Sequence, residues 1–196
     1  MIKNNLYGLV LSGGQSRRMG RDKSRLSYHG TSQREWLYHL LRNVCEKVFI
    51  SVKEKEKEEH LPQIPDMHTF GSPLNGIISA LEQHPEKAWL VVSCDMPFLD
   101  ISILKHLIDH REKEAQVTCF MDSDNQNPEP MIAIWEPNCI PSLRNFIKKD
   151  VRPRSFIRSH IANIIQISDK KALTNINTES DYKKAVDDLA SKSGRP

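Results

Sequence analysis

Apolar residues along this chain alternate between short unbroken runs and stripes spaced three and four apart. The runs read as strands: Leu6 to Leu11, Lys47 to Val52, Ala88 to Cys94, Gln116 to Phe120, Met131 to Trp135 and Ile161 to Ile167. The stripes read as helices, through Trp36, Leu37, Leu40, Leu41 and Val44, then Ile77, Ile78 and Leu81, then Leu104, Leu107 and Ile108. Two more follow, one between Asn138 and Lys149 and a terminal one through Tyr182, Ala185, Val186 and Leu189. Ser32 with Glu35, and Thr178 with Asp181, have the spacing of capping boxes at helix starts. Strand followed by helix, repeated, predicts an α/β fold of three layers, α/β/α, around a mostly parallel, Rossmann-like sheet. A sheet of this kind binds ligands at the carboxyl ends of its strands.

Two strand ends carry candidate chemistry. After the first strand comes Leu11-Ser12-Gly13-Gly14-Gln15-Ser16-Arg17-Arg18-Met19-Gly20-Arg21-Asp22-Lys23. Its glycines let main-chain N–H groups approach an anion, and Arg17, Arg18, Arg21 and Lys23 supply compensating charge, so a polyphosphate ligand is expected. It is no Walker A loop, because Asp22 precedes Lys23, and the adjacent Gly13-Gly14 pair does not fit the dinucleotide fingerprint. The near-continuous apolar strand ending at Cys94 is followed by Asp95-Met96-Pro97. A carboxylate at the tip of a central parallel strand, beside a phosphate loop, suits Mg²⁺ on a triphosphate; the other reading is a cap for the next helix, a task open equally to Asp100 or Ser102.

These segments resemble the molybdenum cofactor guanylyltransferases, a MobA-like nucleotidyltransferase family. LSGGQSRRMGRDK is similar to its signature of a double glycine, Arg-Met-Gly and Lys, with Ser12 where Ala is usual, and CDMP matches its Cys-Asp-x-Pro. Related cytidylyltransferases and sugar-phosphate nucleotidyltransferases usually have one glycine there, so Gly13-Gly14 favours the guanylyl branch. GSPLNG resembles Gly-Pro-Leu-Ala-Gly, PEPM a strand on the acceptor side, and TNINT the Asn-x-Asn-Thr segment. The resemblance spans nearly the whole chain and implies a single nucleotidyltransferase domain, 1–196, with a nucleotide-diphospho-sugar transferase-like fold. It implies GMP transfer from Mg-GTP to the terminal phosphate of molybdenum-loaded molybdopterin, with pyrophosphate released. Catalytic roles then fall to Lys23, Arg17, Arg18 and Asp95, with Asp95 holding the Mg²⁺. Nucleotide contacts fall to Leu11, Ser12, Gly13, Gly14, Lys23, Ser51, Asp66, Gly76 and Asp95. Ser51 stands where the family commonly has Asn, and Asp66 is either the family's upstream aspartate or an ordinary turn residue. Acceptor contacts fall to Asn175 and Asn177. A cytidylyl or sugar-phosphate transferase is the alternative enzyme, and a GTP-binding adaptor subunit the alternative outside enzymes.

Composition narrows this further. The 196 residues are 38% hydrophobic and 27% charged, enough apolar content for one stable core, and no apolar run reaches the length of a membrane span. No signal-peptide core precedes the first strand, so a cytoplasmic location and no membrane partner are expected. A net charge of +3, with the basic residues gathered in the glycine loop, gives no reason to expect nucleic acid. Arg152, Arg154 and Arg158 form a second basic cluster, open as an anionic-acceptor contact or a solvated face. Cys45, Cys94, Cys119 and Cys139 lack metal-ligand spacing and read as buried thiols, and the histidines have no zinc spacing. There is no Gly-x-Ser-x-Gly elbow for hydrolase chemistry. The expected partners are GTP, molybdopterin and, transiently, molybdenum-insertion proteins, with the chain a monomer or weak homo-oligomer.

Overall fold

Strand β1 (Leu6–Leu11) is buried along its entire length, so side chains on both of its faces need apolar cover. A computed structural model, which describes residues 5–12, 23–54, 60–124 and 126–193, shows how each face is covered. Leu6 and Val10 pack with Leu37 and Leu41 of helix α1 (Gln33–Arg42). Tyr7, Leu9 and Leu11 pack with Leu74, Ile77, Ile78 and Leu81 of α2 (Leu74–Gln83). The same division runs through β2 (Val48–Val52) and β4 (Ala88–Ser93), while β3 (Gln63–Pro65) contributes Ile64 to the α2 side. Helix α3 (Ile101–Asp109) joins the α1 layer, and α4 (Ile140–Phe146) and α5 (Pro153–Ser159) join the α2 layer. The expected three layers are present.

Strands β5 (Val117–Met121), β6 (Pro128–Trp135) and β7 (Ala162–Ile165) complete a seven-stranded sheet in the order β3-β2-β1-β4-β6-β5-β7. Only β6 runs against the others, pairing antiparallel with β4 and β5. The sheet is therefore mostly parallel, with β1 and β4 at its centre. The last helix, α6 (Glu179–Ser193), buries Ala185. Among the described residues no helix is long and apolar enough to cross a membrane.

Local chemistry explains most helix starts. The Asp100 carboxylate accepts from Ser102 N at 2.8 Å and Ile103 N at 3.0 Å, which makes Asp100 the cap of α3. Asp95 is thereby relieved of that role. At α6, Thr178 and Asp181 exchange main-chain to side-chain bonds of 2.9 and 3.1 Å, the expected capping box. At α1 the Ser32 hydroxyl accepts from Glu35 N at 3.4 Å, while the Glu35 carboxylate is met by the Thr31 hydroxyl.

The structure corrects three local readings. The segment around Pro62 and Pro65, where the apolar pattern predicts no strand, contains β3, a three-residue edge strand pairing Pro65 with Val52; proline is tolerated at an edge because no further strand needs its missing N–H. Gly76, which precedes the expected helical stripe beginning at Ile77, lies within α2. The arginine-rich segment after Asp150 contains α5, opened by Pro153 in its first turn. All four cysteines are buried thiols, as expected.

Candidate active site

The parallel register of β1 and β4 sets Leu11 beside Ser93, and the Cys94 amide reaches the Leu11 carbonyl at 3.4 Å. The start of the glycine loop and the turn carrying Asp95 therefore leave the sheet side by side. Gly13, Gly14, Arg17 and Arg18 lie outside the described residues; of Lys23, the backbone opens a short 3₁₀ turn, Lys23–Arg25.

On the β2 side of β1, five of the expected nucleotide residues come together. The Ser12 hydroxyl donates to the Ser51 carbonyl at 2.6 Å, and the Ser51 hydroxyl donates to Asp66 Oδ1 at 3.1 Å. Gly76 closes the group from the first turn of α2. A Cβ placed there would lie 2.2 Å from Ser51 Oγ and 2.9 Å from Leu11 Cδ2, so only glycine lets the helix approach this closely. Burial raises the Asp66 carboxyl above its ordinary value, and the Ser51 hydroxyl, Lys53 and His68 act in the opposite direction.

On the β6 side the site is built from charge. Asp95 sits in the turn after β4, held by its neighbours. The Ile176 amide donates to the Asp95 carbonyl at 2.8 Å, Gln33 Nε2 to the Met96 carbonyl at 3.4 Å, and His29 Nε2 lies 3.0 Å from the Pro97 carbonyl. His29 is stacked on Trp36 with ring centroids 3.9 Å apart. Tyr28, half-buried and edge-on to Tyr182, has its hydroxyl pushed up chiefly by burial and further by the charges of Tyr182 and Asp95. The antiparallel register pairs Val92 with Ile132. Beyond that pair the two strand ends approach closely enough for the Asp95 charge to act on the Glu129 carboxyl.

Glu129 was not singled out by its sequence position, yet it is only 3% exposed. Its Oε1 accepts from Met131 N at 2.9 Å, Arg154 lies 3.7 Å from its other oxygen, and the Asn175 side chain is nearby. Burial raises its carboxyl; the Met131 amide and the Arg154 charge oppose that, and the Asp95 charge adds to it. Asn175 also lines a cavity of about 320 Å³ with Phe98, Lys171, Thr174, Ile176 and Lys184 among its walls. Asn177 is exposed in the approach to α6, its amide donating to Asp181 at 3.2 Å.

The second basic cluster is internally paired. Arg152 makes a bidentate contact with Asp150 at 2.9 and 2.6 Å, Arg154 donates to the Pro128 carbonyl at 3.1 Å, and Arg158 bonds Asn127. Only Arg154 among them reaches toward the site, through Glu129.

Among the described residues no three metal-binding side chains cluster. Mg²⁺ on a triphosphate takes one or two carboxylates and completes its shell with phosphate and water, so the oxygen donors at Asp95 and Glu129 fit that ion.

Comparison with known proteins agrees with this arrangement. Residues 8–164 match the MobA-like NTP transferase domain. The chain is 30% identical over 182 residues to the molybdenum cofactor biosynthesis bifunctional protein of Synechocystis, covering 90% of this chain and 52% of that protein, so it spans about half the length of that relative. It is also 30% identical over 187 residues to a protein of Trichormus variabilis named probable molybdenum cofactor guanylyltransferase, covering 91% of this chain and 89% of that one. The fold superposes on the crystal structure of molybdopterin-guanine dinucleotide biosynthesis protein A from Archaeoglobus fulgidus with a TM-score of 0.80, at 21% identity over 94% of this chain and 99% of that one. With β1 and β4 delivering the loop and the carboxylate that the sequence pattern anticipates, the chain belongs to the MobA-like NTP transferase family, whose members are nucleotidyltransferases.

Proposed function

We propose that this protein transfers the guanylyl group of GTP to the terminal phosphate of molybdenum-loaded molybdopterin, releasing pyrophosphate. The observation that carries the reading is the Leu11 to Ser93 register, which brings the start of a Gly- and Arg-rich loop alongside the turn that holds Asp95. A phosphate loop paired with a carboxylate suits a metal-bound triphosphate, and the names of the relatives point to guanine and to the molybdenum cofactor.

An acceptor phosphate oxygen attacks the α-phosphorus of GTP in line, a P–O–P bridge forms, and the bond to the β-phosphate breaks with its electrons leaving on pyrophosphate. The acceptor is already an anionic nucleophile, so the protein's main task is to hold two polyanions together. Asp95 would hold Mg²⁺ with Glu129 nearby; when bound, that ion neutralises charge on the triphosphate. Lys23, Arg17 and Arg18 offset the charge that develops on the α-phosphate and the leaving group. Main-chain N–H groups from Ser12 to Gly14 bind phosphate or base edges. Leu11, Ser51 and Gly76 form the floor under the nucleoside, and Asp66 meets it from the end of β3. Asn175 and Asn177 serve the acceptor.

The test is acceptor-dependent pyrophosphate release with Mg-GTP, run beside Mg-CTP and beside the Asp95→Ala protein. Release with GTP alone, falling about a hundredfold or more in the variant, is the expected result, on the scale of losing one group that stabilises developing charge. A preference for CTP would overturn the guanylyl assignment. GTP binding with no acceptor-dependent release would overturn the acceptor.

A further inference from the structure

Helix α3 starts beside the Asp95 turn, at its Asp100 cap, and carries two histidines away from it: at 1.5 Å per residue, His110 is roughly 15 Å further along the axis. His106 and His110 are four residues apart, the spacing at which helical side chains are neighbours, and their ring centroids lie 4.4 Å from each other. Both rings are held. His106 lies parallel to the buried Phe120, with 5° between planes and 5.9 Å between centroids. The His110 ring meets the His106 carbonyl through Nδ1 at 2.9 Å, and the His110 carbonyl accepts from Asn163 Nδ2 of β7 at 2.8 Å. A carbonyl only accepts, so Nδ1 of His110 carries the proton and the lone pair of the neutral ring is on Nε2. A main-chain oxygen fixing one nitrogen in this way leaves the other ready to ligate a metal.

The separation of the rings selects the ion. With metal–nitrogen bonds of about 2.0 Å, each ring centre lies about 3.2 Å from the ion. Two such rings at a right angle about the ion have centres about 4.5 Å apart, and at the tetrahedral angle about 5.2 Å. The observed 4.4 Å matches the right angle, which belongs to tetragonal Cu²⁺ and Ni²⁺ and not to tetrahedral Zn²⁺. Leu107 also stands where the H-E-x-x-H zinc signature has its glutamate. The charge around the rings agrees with a cation. They sit on the last turn of α3, where helix carbonyls place partial negative charge, and Arg111, the next residue, is neutralised in a buried pair with Glu136.

We propose that His106 and His110 form a two-nitrogen site for a divalent transition-metal cation, Cu²⁺ or Ni²⁺, with water completing its shell. The site is separate from the nucleotide cleft and stands independently of the function proposed above. Because the two rings meet only when α3 is folded, a bound ion also clamps the helix end that Asn163 ties to β7.

Two measurements on the full chain test it. The first is calorimetric titration with Cu²⁺ in excess Mg²⁺, which fills oxygen sites and leaves imidazoles free. The wild type is expected to show a tight Cu²⁺ site, and His106→Gln or His110→Gln to weaken it about a hundredfold, the scale of losing one arm of a linked pair. His39→Gln, which removes an exposed histidine of α1, is expected to change nothing. Equal binding by the wild type and the two pair variants overturns the proposal, as does a loss confined to the His39 variant. The second is urea unfolding with and without Ni²⁺. The ion is expected to raise the midpoint of the wild type and of neither pair variant, because only the folded helix holds the two rings together. A midpoint that Ni²⁺ raises equally in all three proteins, or in none, overturns it.

Discussion

The two walls of the cleft, on either side of the β1 and β4 strand ends, are built on opposite principles. The β2 side is made of small residues at close quarters: Leu11, Ser12, Ser51 and Gly76, with Asp66 as its one charge. The β6 side is made of charged and amide side chains, Asp95, Glu129, Arg154 and Asn175, all buried or half-buried, with Asn175 at the wall of a cavity. The first wall leaves no room for an extra atom where α2 meets the end of β2. The second is a cluster of charge. Under the proposed function the two anionic substrates would meet different walls, and substitutions on the two walls have different signatures.

The largest effect in that comparison belongs to Gly76→Ala. The added methyl must displace the Ser51 hydroxyl and the Leu11 side chain, and the bond from Ser51 to Asp66 goes with it. Overpacking of about 1 to 3 kcal/mol outweighs a helix-propensity gain of about 1 kcal/mol. Urea unfolding should show a net loss, and GTP should bind more weakly while the acceptor KM holds. Unchanged GTP binding would mean that the β2 wall does not select by shape.

A smaller, pH-dependent effect is expected at Asp66. Its folded-state carboxyl titrates above the unfolded one because of burial. The folded state therefore holds the proton longer, and this group's contribution to stability is present below the ordinary carboxylate value and lost as pH rises through the folded one. Asp66→Asn keeps an acceptor for Ser51 and removes that loss. The difference in unfolding free energy should shift toward the variant as pH rises above the ordinary carboxylate value. A difference that is flat with pH would place Asp66 in an environment as wet as the unfolded chain.

The smallest effect is expected from Arg152→Ala. Arg152 is exposed and locked to Asp150 on the surface, so acceptor KM and rate should stay within about twofold. A large rise in the acceptor KM would extend the charged wall out to α5.

How far these walls could be read in advance follows from how local their signals are. The run Trp89 to Val92 followed by Asp95 and Pro97 announces a buried strand with a carboxylate at its tip, and the structure has that arrangement. The capping residues of α1 and α6 were legible because the spacing rule is contained within four residues. Glu129 was not. A single glutamate between two prolines has no periodicity to mark it, and its meaning comes from neighbours far along the chain, Asp95 and Arg154. Strand β3 was missed because three residues between prolines resemble a loop until Val52 supplies the partner. Helix α5 was hidden by arginines that read equally as an anionic-acceptor contact or a solvated face, since their partners, Asp150, Glu129 and Asn127, include residues on another strand and its turn. Gly76 was noticed for the right residue and the wrong geometry: its close contact is with the end of β2, not with its own turn.

The bond from the Ile176 amide to the Asp95 carbonyl also has a meaning in time. The turn that carries the carboxylate is emitted early in synthesis, and the residue that completes its support is 81 positions later, 176 less 95. At roughly 5 to 20 residues per second a ribosome needs about 4 to 16 s to make that stretch. Until then β1, α1 and β4 can assemble, but the turn lacks its final hydrogen bond. The Asp95 turn is therefore complete only once the segment carrying Ile176 has been made.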